Sequence, residues 1–332
     1  MILLIYGTRP EYIKIKPLII EMEKRNIPFK TLFTGQHKDM VPATADYNLA
    51  MFDLPGNRLD SVLKNCLSMP EHVFEGITYI LVQGDTTSVV GLALAGLHRN
   101  IPVIHLEAGL RTYDTQNPYP EENNRRIVSS IATIHLCPTF RNEENLIYEN
   151  IAENIFVVGN TGLDNLLEVK DKCTYEKKIL VTLHRRENHH WMDQWFTELN
   201  TLAQKYPEYE FIIPLHPNPN VQKHKALLTN VKVVDPMEHS ELIDLLTKCS
   251  LVITDSGGLQ EECSFLNKKC LVCRKVTERP ESVNQHSFLI QSPSDLIAEF
   301  DKQIKNLITD YKCPFGDGRA SQKICDIFQK LK

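Results

Sequence analysis

The sequence predicts an α/β protein of two doubly wound, Rossmann-like domains, and three observations predict it. Short runs rich in Val, Ile, Leu and Phe recur along the chain, unbroken rather than alternating, as strands covered on both faces read. Amphipathic stretches of helical period separate them. At 332 residues the chain is too long for one ordinary core, and a charged stretch near its middle divides the runs into two sets.

The first set is Ile2–Tyr6, Phe29–Phe33, Tyr79–Val82, Val103–Leu106, Ile134–Cys137 and Phe156–Val158. Val169–Lys178 is polar and charged and marks the boundary, so the domains are expected at 1–168 and 169–317. The second set follows: Ile179–Leu183, Phe211–Leu215, Val231–Val234, Leu251–Thr254 and Cys270–Cys273. Ala320–Lys332 reads as a final helix, the core of a closing segment at about 318–332. Its pattern alone does not tell which domain it packs on. There are no short-period repeats and no low-complexity tracts.

Composition excludes several classes. The formal net charge is −5, which offers no electrostatic case for a nucleic-acid or membrane surface. No apolar run is long enough to span a bilayer. Met1–Ile5 is apolar but lacks a basic leader and is broken by Gly7-Thr8-Arg9-Pro10, so it reads as a strand, not a signal peptide. The nine cysteines are scattered and odd in number, which argues for a reducing compartment. Cys270 and Cys273 form the one CxxC; on a strand they point to opposite faces and read as core residues rather than zinc ligands.

In open parallel α/β sheets ligands bind outside the carboxyl ends of the strands. Nearly every run here ends in charge: Gly7–Glu11, Gly35-Gln36-His37, Gln83–Ser88, Glu107–Thr112, His184–Asn188, His216–Pro219, Asp255–Gly258 and Glu278–Glu281. Repeated in both halves, this pattern implies a charged ligand in an interdomain cleft. The stretch "VITDSGGLQEEC" is the most informative. A strand ends at Asp255, Ser256-Gly257-Gly258 turn, and a helix begins. Two glycines there let a phosphate approach free N–H groups at the positive end of a helix dipole. The bland alternative is an ordinary N-cap by Ser256. Glu262, one turn on, could reach a ribose, and Arg9 and Lys14 could meet the same phosphates from the first domain.

Asp85, Glu107 and Glu121 are the acid–base candidates. The first two follow apolar strands directly. Glu121 lies in "NPYPEENNRR", where a carboxylate either complements the helix dipole or takes part in chemistry. Arg125 is then its i,i+4 partner or a substrate ligand. Three carboxylates near an anion suit proton abstraction and return.

Taken together, "GTRPEYIKIKP", "TGQH", "VQGDTTS", "HLEAGLRT", "PEENNRR", "VGNTGLDNL", "HRREN", "HPNP", "DSGGLQEE" and "TERPE" resemble the motif series of the non-hydrolysing UDP-N-acetylglucosamine 2-epimerases, in order, over residues 7 to 281. The resemblance implies a fold like the two-domain B-type glycosyltransferases and a cytoplasmic homodimer without metal or redox cofactor. It also implies a C-terminal helix that crosses back to the first domain. By resemblance, Arg9, Lys14, His184, Ser256, Gly257, Gly258, Glu262 and Arg279 are the UDP contacts. Asp85, Glu107 and Glu121 are the catalytic carboxylates, supported by Arg125 and His184. Gln36, Arg185 and His216 fit a second, regulatory sugar-nucleotide site.

Departures from the series lie after "TGQH", where Lys38-Asp39-Met40 and the run to Leu63 differ in spacing, and after "TERPE", where Ser282–His286 replaces a Gly-rich continuation. They leave the sugar open between an N-acetylglucosamine and a 6-deoxy N-acetylhexosamine, including an L-sugar. Two competing activities remain: a UDP-sugar glycosyltransferase of the same fold, which would not require the three carboxylates together, and a hydrolysing 2-epimerase, which would release UDP.

Overall fold

The computed structural model describes residues 1–36 and 45–331. His37 of the "TGQH" motif and the divergent residues 38–44 lie outside the described residues. The chain divides into two compact units: Met1–Asn165 with Gly316–Lys332, and Leu166–Phe315.

Unit one is built on a seven-stranded sheet of β1 (Ile2–Tyr6), β2 (Phe29–Phe33), β3 (Tyr47–Asn48), β4 (Tyr79–Gln83), β5 (Val103–Leu106), β6 (Ile134–Cys137) and β7 (Ile155–Val157). Its order is β3-β2-β1-β4-β5-β6-β7, and every pairing is parallel. The chain reverses its march across the sheet between β1 and β4, the switch point where doubly wound sheets open a crevice. Its helices are α1 (Arg9–Lys24), α2 (Arg58–Leu67), α3 (Thr87–His98), α4 (Glu121–Ile131) and α5 (Phe140–Tyr148). Leu3, Ile5, Ile80 and Val82 pack on one face of the sheet; Leu4, Leu81, Ile104 and Leu136 pack on the other. That two-sided burial is why the strands read as unbroken apolar runs.

Unit two has a six-stranded sheet of β8 (Glu176–Thr182), β9 (Glu210–Pro214), β10 (Lys232–Val234), β11 (Cys249–Thr254), β12 (Lys269–Val272) and β13 (Ser287–Leu289). The order β10-β9-β8-β11-β12-β13 is again wholly parallel, with its switch point between β8 and β11. Around it lie α6 (Met192–Lys205), the single turn α7 (Pro219–Gln222), α8 (His239–Lys248), α9 (Gly257–Phe265) and α10 (Leu296–Gln303). Trp195, Phe196, Phe211, Phe300 and Leu271 fill its core. Cys270 and Cys273 are buried and not in a disulfide.

The closing helix α11 (Ala320–Phe328) is part of unit one. Its buried Ile324, Cys325 and Phe328 join the cluster that holds Ile15, Leu18 and Met22 of α1. Its own residues supply no cap. Asp164 does: its carboxylate accepts from the backbone N–H of Ala320 at 2.9 Å and of Ser321 at 2.7 Å. Arg25 pairs with Asp326 on its outer face. A helix of nine residues is too short to persist in water alone, so packing and this borrowed cap carry it.

Candidate active site

In unit one the polar residues gather at the carboxyl ends of β1, β4 and β5. Thr8 caps α1 in a full capping box with Glu11. Glu11 is buried, and its carboxylate accepts from the N–H of Gly7 (2.6 Å) and Thr8 (2.9 Å) and from the hydroxyl of Thr86 (2.8 Å), the N-cap of α3. It thereby ties the loop after β1 to the loop after β4. Burial raises its pKa above the usual carboxylate range, against the lowering effect of those bonds. Sequence reasoning passed over Glu11; the T-x-x-E spacing at Thr8 was the signal.

Arg9 opens α1, and Lys14 lies on the same helix. The Lys14 ammonium stands 2.5 and 2.6 Å from the two carboxylate oxygens of Glu107. Glu107 also accepts from the side-chain amides of Gln83 and, at 3.2 Å, Asn160. Its φ is +69°, in the left-handed region that a residue with a β-carbon occupies at a cost of order 1–3 kcal/mol. The charged bonds to Lys14 are strong enough to hold it there.

Asp85 accepts from Arg125 at 2.9 Å (Nε) and 2.8 Å (Nη2), and its backbone carbonyl accepts from Asn124 at 2.8 Å. Arg125 is buried, and its Nη1 donates to Glu122 at 2.8 Å. Arg125 is thus a buried bridge from Asp85 to Glu122. Glu122 also takes the N–H groups of Thr112 (3.0 Å) and Tyr113 (3.1 Å), so the second glutamate of the pair is the loop's anchor. Glu121 is the first residue of α4, half-buried, after cis peptide bonds at Asn117-Pro118 and Tyr119-Pro120. Gln36 accepts from Ser88 at 2.7 Å.

In unit two the ends of β8 and β11 flank the switch point, and Asp255 organises both. Its Oδ2 accepts from the N–H of His184 (2.9 Å), the N–H of Arg185 (2.8 Å) and the amide of Asn188 (3.1 Å), and its Oδ1 lies 3.5 Å from His184 Nδ1. The carboxylate is fully buried and holds the backbone of the turn at His184 and Arg185. His184 stacks on His216 with ring centroids 5.1 Å apart and planes at 12°; Arg185 is partly exposed beside it.

Ser256 occupies the N-cap position of α9, yet its side chain makes no capping bond. The ordinary-cap alternative is therefore not what this turn does, and the first N–H groups of the helix stay uncapped by it. The two glycines differ. A β-carbon on Gly258 would meet nothing nearer than the Ser256 hydroxyl at 3.9 Å, whereas one on Gly257 would lie 2.4 Å from Arg279 Nη1. Gly257 is small to let a buried guanidinium pass, and Gly258 leaves its approach open. Arg279 donates to both Glu261 and Glu278, and Glu278 also pairs with Arg274, which reaches Glu187 at 2.7 Å. Arg279 is thus part of a buried ion-pair ladder beneath the turn. Glu262 lies 3.5 Å from His239 Nε2 and keeps a partly exposed carboxylate.

Two parallel Rossmann-order sheets define a two-domain α/β protein of the kind seen in Acinetobacter baumannii MurG. That structure matches at TM-score 0.62 but only 14% identity, which shows the fold alone. The family model for UDP-N-acetylglucosamine 2-epimerase matches residues 21–329, and the chain belongs to that family. It is 36% identical to the UDP-N-acetylglucosamine 2-epimerase of Neisseria meningitidis over 373 positions, covering 99% of each chain. It is 37% identical to that of Campylobacter jejuni, covering 100% of this chain and 98% of the other. The crystal structure of the N. meningitidis enzyme bound to UDP-GlcNAc matches with TM-score 0.92 at 35% identity, over 99% of this chain and 100% of that one. The Methanocaldococcus jannaschii enzyme in complex with UDP-GlcNAc and UDP matches with TM-score 0.86 at 29% identity, over 99% of both. No helix among the described residues is long and apolar enough to cross a membrane.

Proposed function

We propose that the protein inverts the second carbon of a UDP-N-acetylhexosamine without net hydrolysis. The α9 turn at Ser256–Gly258 takes the diphosphate, with His184 donating to it, and Glu262 takes the ribose. The carboxylates Asp85, Glu107 and Glu121 act on the sugar. A base takes the proton from C2 while the C1–O bond breaks and its electron pair leaves with UDP, giving a C1=C2 glycal. UDP then adds back to C1 as a proton is delivered to the opposite face of C2. Donors held in place on the departing diphosphate stabilise the charge that develops there. The two faces need separate proton carriers, which is why several carboxylates are required.

The observation that carries this reading is the set of three carboxylates at strand and helix ends of one unit, each in its own surroundings: Asp85 on Arg125, Glu107 on Lys14, Glu121 at a helix N-terminus. A glycosyltransferase needs the phosphate turn but not this trio. The test is incubation with a panel of UDP-N-acetylhexosamines, D-gluco and 6-deoxy, in deuterated water. Deuterium at C2 of a recovered UDP-sugar epimer supports the reading. Free N-acetylmannosamine with released UDP assigns a hydrolysing enzyme, and transfer without exchange assigns a glycosyltransferase.

A further inference from the structure

We propose that His105 is a positioning residue for the reaction, a neutral imidazole that holds the Gly84-Asp85 turn and with it the Asp85 carboxylate. The inference rests on the catalytic reading of Asp85 given above.

The geometry is specific. His105 lies within β5 and is fully buried; its Nε2 is 2.9 Å from the carbonyl oxygen of Gly84. A carbonyl can only accept, so Nε2 carries the proton, and in a neutral ring Nδ1 is then a bare acceptor. Nδ1 is buried with no hydrogen-bond partner, which fits that tautomer. Gly84 also donates its N–H to Leu106 O at 3.0 Å. Strand β5 therefore grips the turn on both sides, by backbone and by side chain. Gly84 has φ +80°, a conformation with many alternatives in a free glycine, so such a grip removes real freedom.

Asp85, the next residue, is fixed at two further points, its carbonyl by Asn124 and its carboxylate by Arg125. The four attachments come from two elements, β5 and α4.

Neutrality is part of the design. His135 is the register partner of His105 on β6, also buried. Burial, His135 and Arg111 push the His105 pKa down to about 3, with the Gly84 bond and Asp85 acting the other way. A neutral donor holds the turn without the cost of burying a charge. Misplacing a reacting group by even about 1 Å costs rate rather than binding.

The experiment compares His105→Met, His105→Gln and Asp85→Asn for turnover, KM, UDP affinity by calorimetry and Tm. Expected are a kcat for His105→Met lower by about tenfold or more, unchanged UDP affinity, and substantial recovery in His105→Gln, which restores a neutral donor. If Asp85→Asn is inactive while folded His105→Met turns over at the wild-type rate, the positioning role is overturned and the proposed function stands. Equal loss in Met and Gln variants together with lowered Tm also overturns it, since that marks simple core damage. Wild-type turnover in Asp85→Asn removes both. Should His105→Met not fold, nitrogen-15 spectroscopy of the wild-type ring decides. A neutral Nε2–H ring across pH 5–8 supports the role, and a ring that titrates there or carries its proton on Nδ1 overturns it.

Discussion

Lys14 Nζ sits 2.5 Å from Glu107 Oε1 and 2.6 Å from Oε2, with the two side chains only 17% and 6% exposed. A cation read from the sequence as a phosphate contact is thus held by a carboxylate read as catalytic. The pair also secures the +69° φ of Glu107. We expect Lys14→Met to lower stability by about 3–5 kcal/mol, the scale for stranding a buried charge, and to lower turnover as Glu107 loses its orientation. Urea denaturation and steady-state kinetics check both. Wild-type kcat would show that Glu107 needs no such support.

The carboxylates bear the chemistry. Asp85→Asn, Glu107→Gln and Glu121→Gln are each expected to cost about 100-fold or more in turnover, the usual scale for a general acid or base, with UDP affinity little changed. Deuterium exchange at C2 measured beside net epimerisation separates the faces, because a variant that exchanges without inverting has lost one carrier only. Near wild-type rates in all three would make the carboxylates structural.

The two glycines of the α9 turn should part company. Gly257→Ala drives a methyl group into the Arg279 guanidinium at 2.4 Å and should lower Tm. Gly258→Val makes no close contact at its β-carbon and should leave Tm near wild type while weakening UDP, since the branched side chain occupies the approach to the helix N-terminus. Calorimetric UDP affinity and thermal melts of both variants are the check. An unaffected UDP affinity in Gly258→Val places the phosphate elsewhere.

Cooperativity is expected to be weak or absent. Gln36 is engaged by Ser88, and the spacing beyond it departs from the family's motif series. Alignment with the N. meningitidis relative runs over 373 positions against 332 residues here, so that relative carries residues this chain lacks. Initial rates against UDP-sugar concentration should be hyperbolic; a sigmoidal curve would restore the regulatory role of Gln36, Arg185 and His216.

Stability should fall with acid earlier than carboxylates alone would cause. Burial holds the folded His105 and His135 at about 3 and about 4, against 6.5 when unfolded. Below pH 6.5 the unfolded chain therefore binds protons that the folded chain does not. Stability is complete above that pH and is lost as pH falls from 6.5 towards 3, by several kcal/mol (about 1.4 per pKa unit). Denaturation free energies at stepped pH measure the loss, and His135→Gln should flatten the slope. A flat profile between pH 6.5 and 5 would contradict it.

Most of the sheet framework was legible because strands buried on both faces leave little choice but unbroken apolar runs. Two strands were not: β3 is two residues long, and β13 reads Ser-Phe-Leu, too brief for any period. β8 begins at Glu176, before its apolar run, because pairing there needs only backbone groups. Residue types at the site were legible from their place after strands, but their partners were not. Arg125 finds Asp85 forty positions away and Arg279 finds Glu261 beneath a glycine, contacts that no local spacing encodes. Asp255 was visible as the end of a strand, yet its work of holding the backbone at His184 and Arg185 depends on a neighbouring strand seventy residues earlier.

The borrowed cap on α11 has a consequence for biosynthesis. Unit two is one continuous stretch and can close as soon as the ribosome has released it. Unit one cannot: Leu18 and Met22, made near the start, wait for Ile324 and Phe328, and Asp164 waits for Ala320. During elongation the earlier half of the polypeptide thus carries an uncovered apolar seam that only its last helix seals. A nascent chain stalled before Gly316 should be a chaperone client even though every strand of both sheets has already been made.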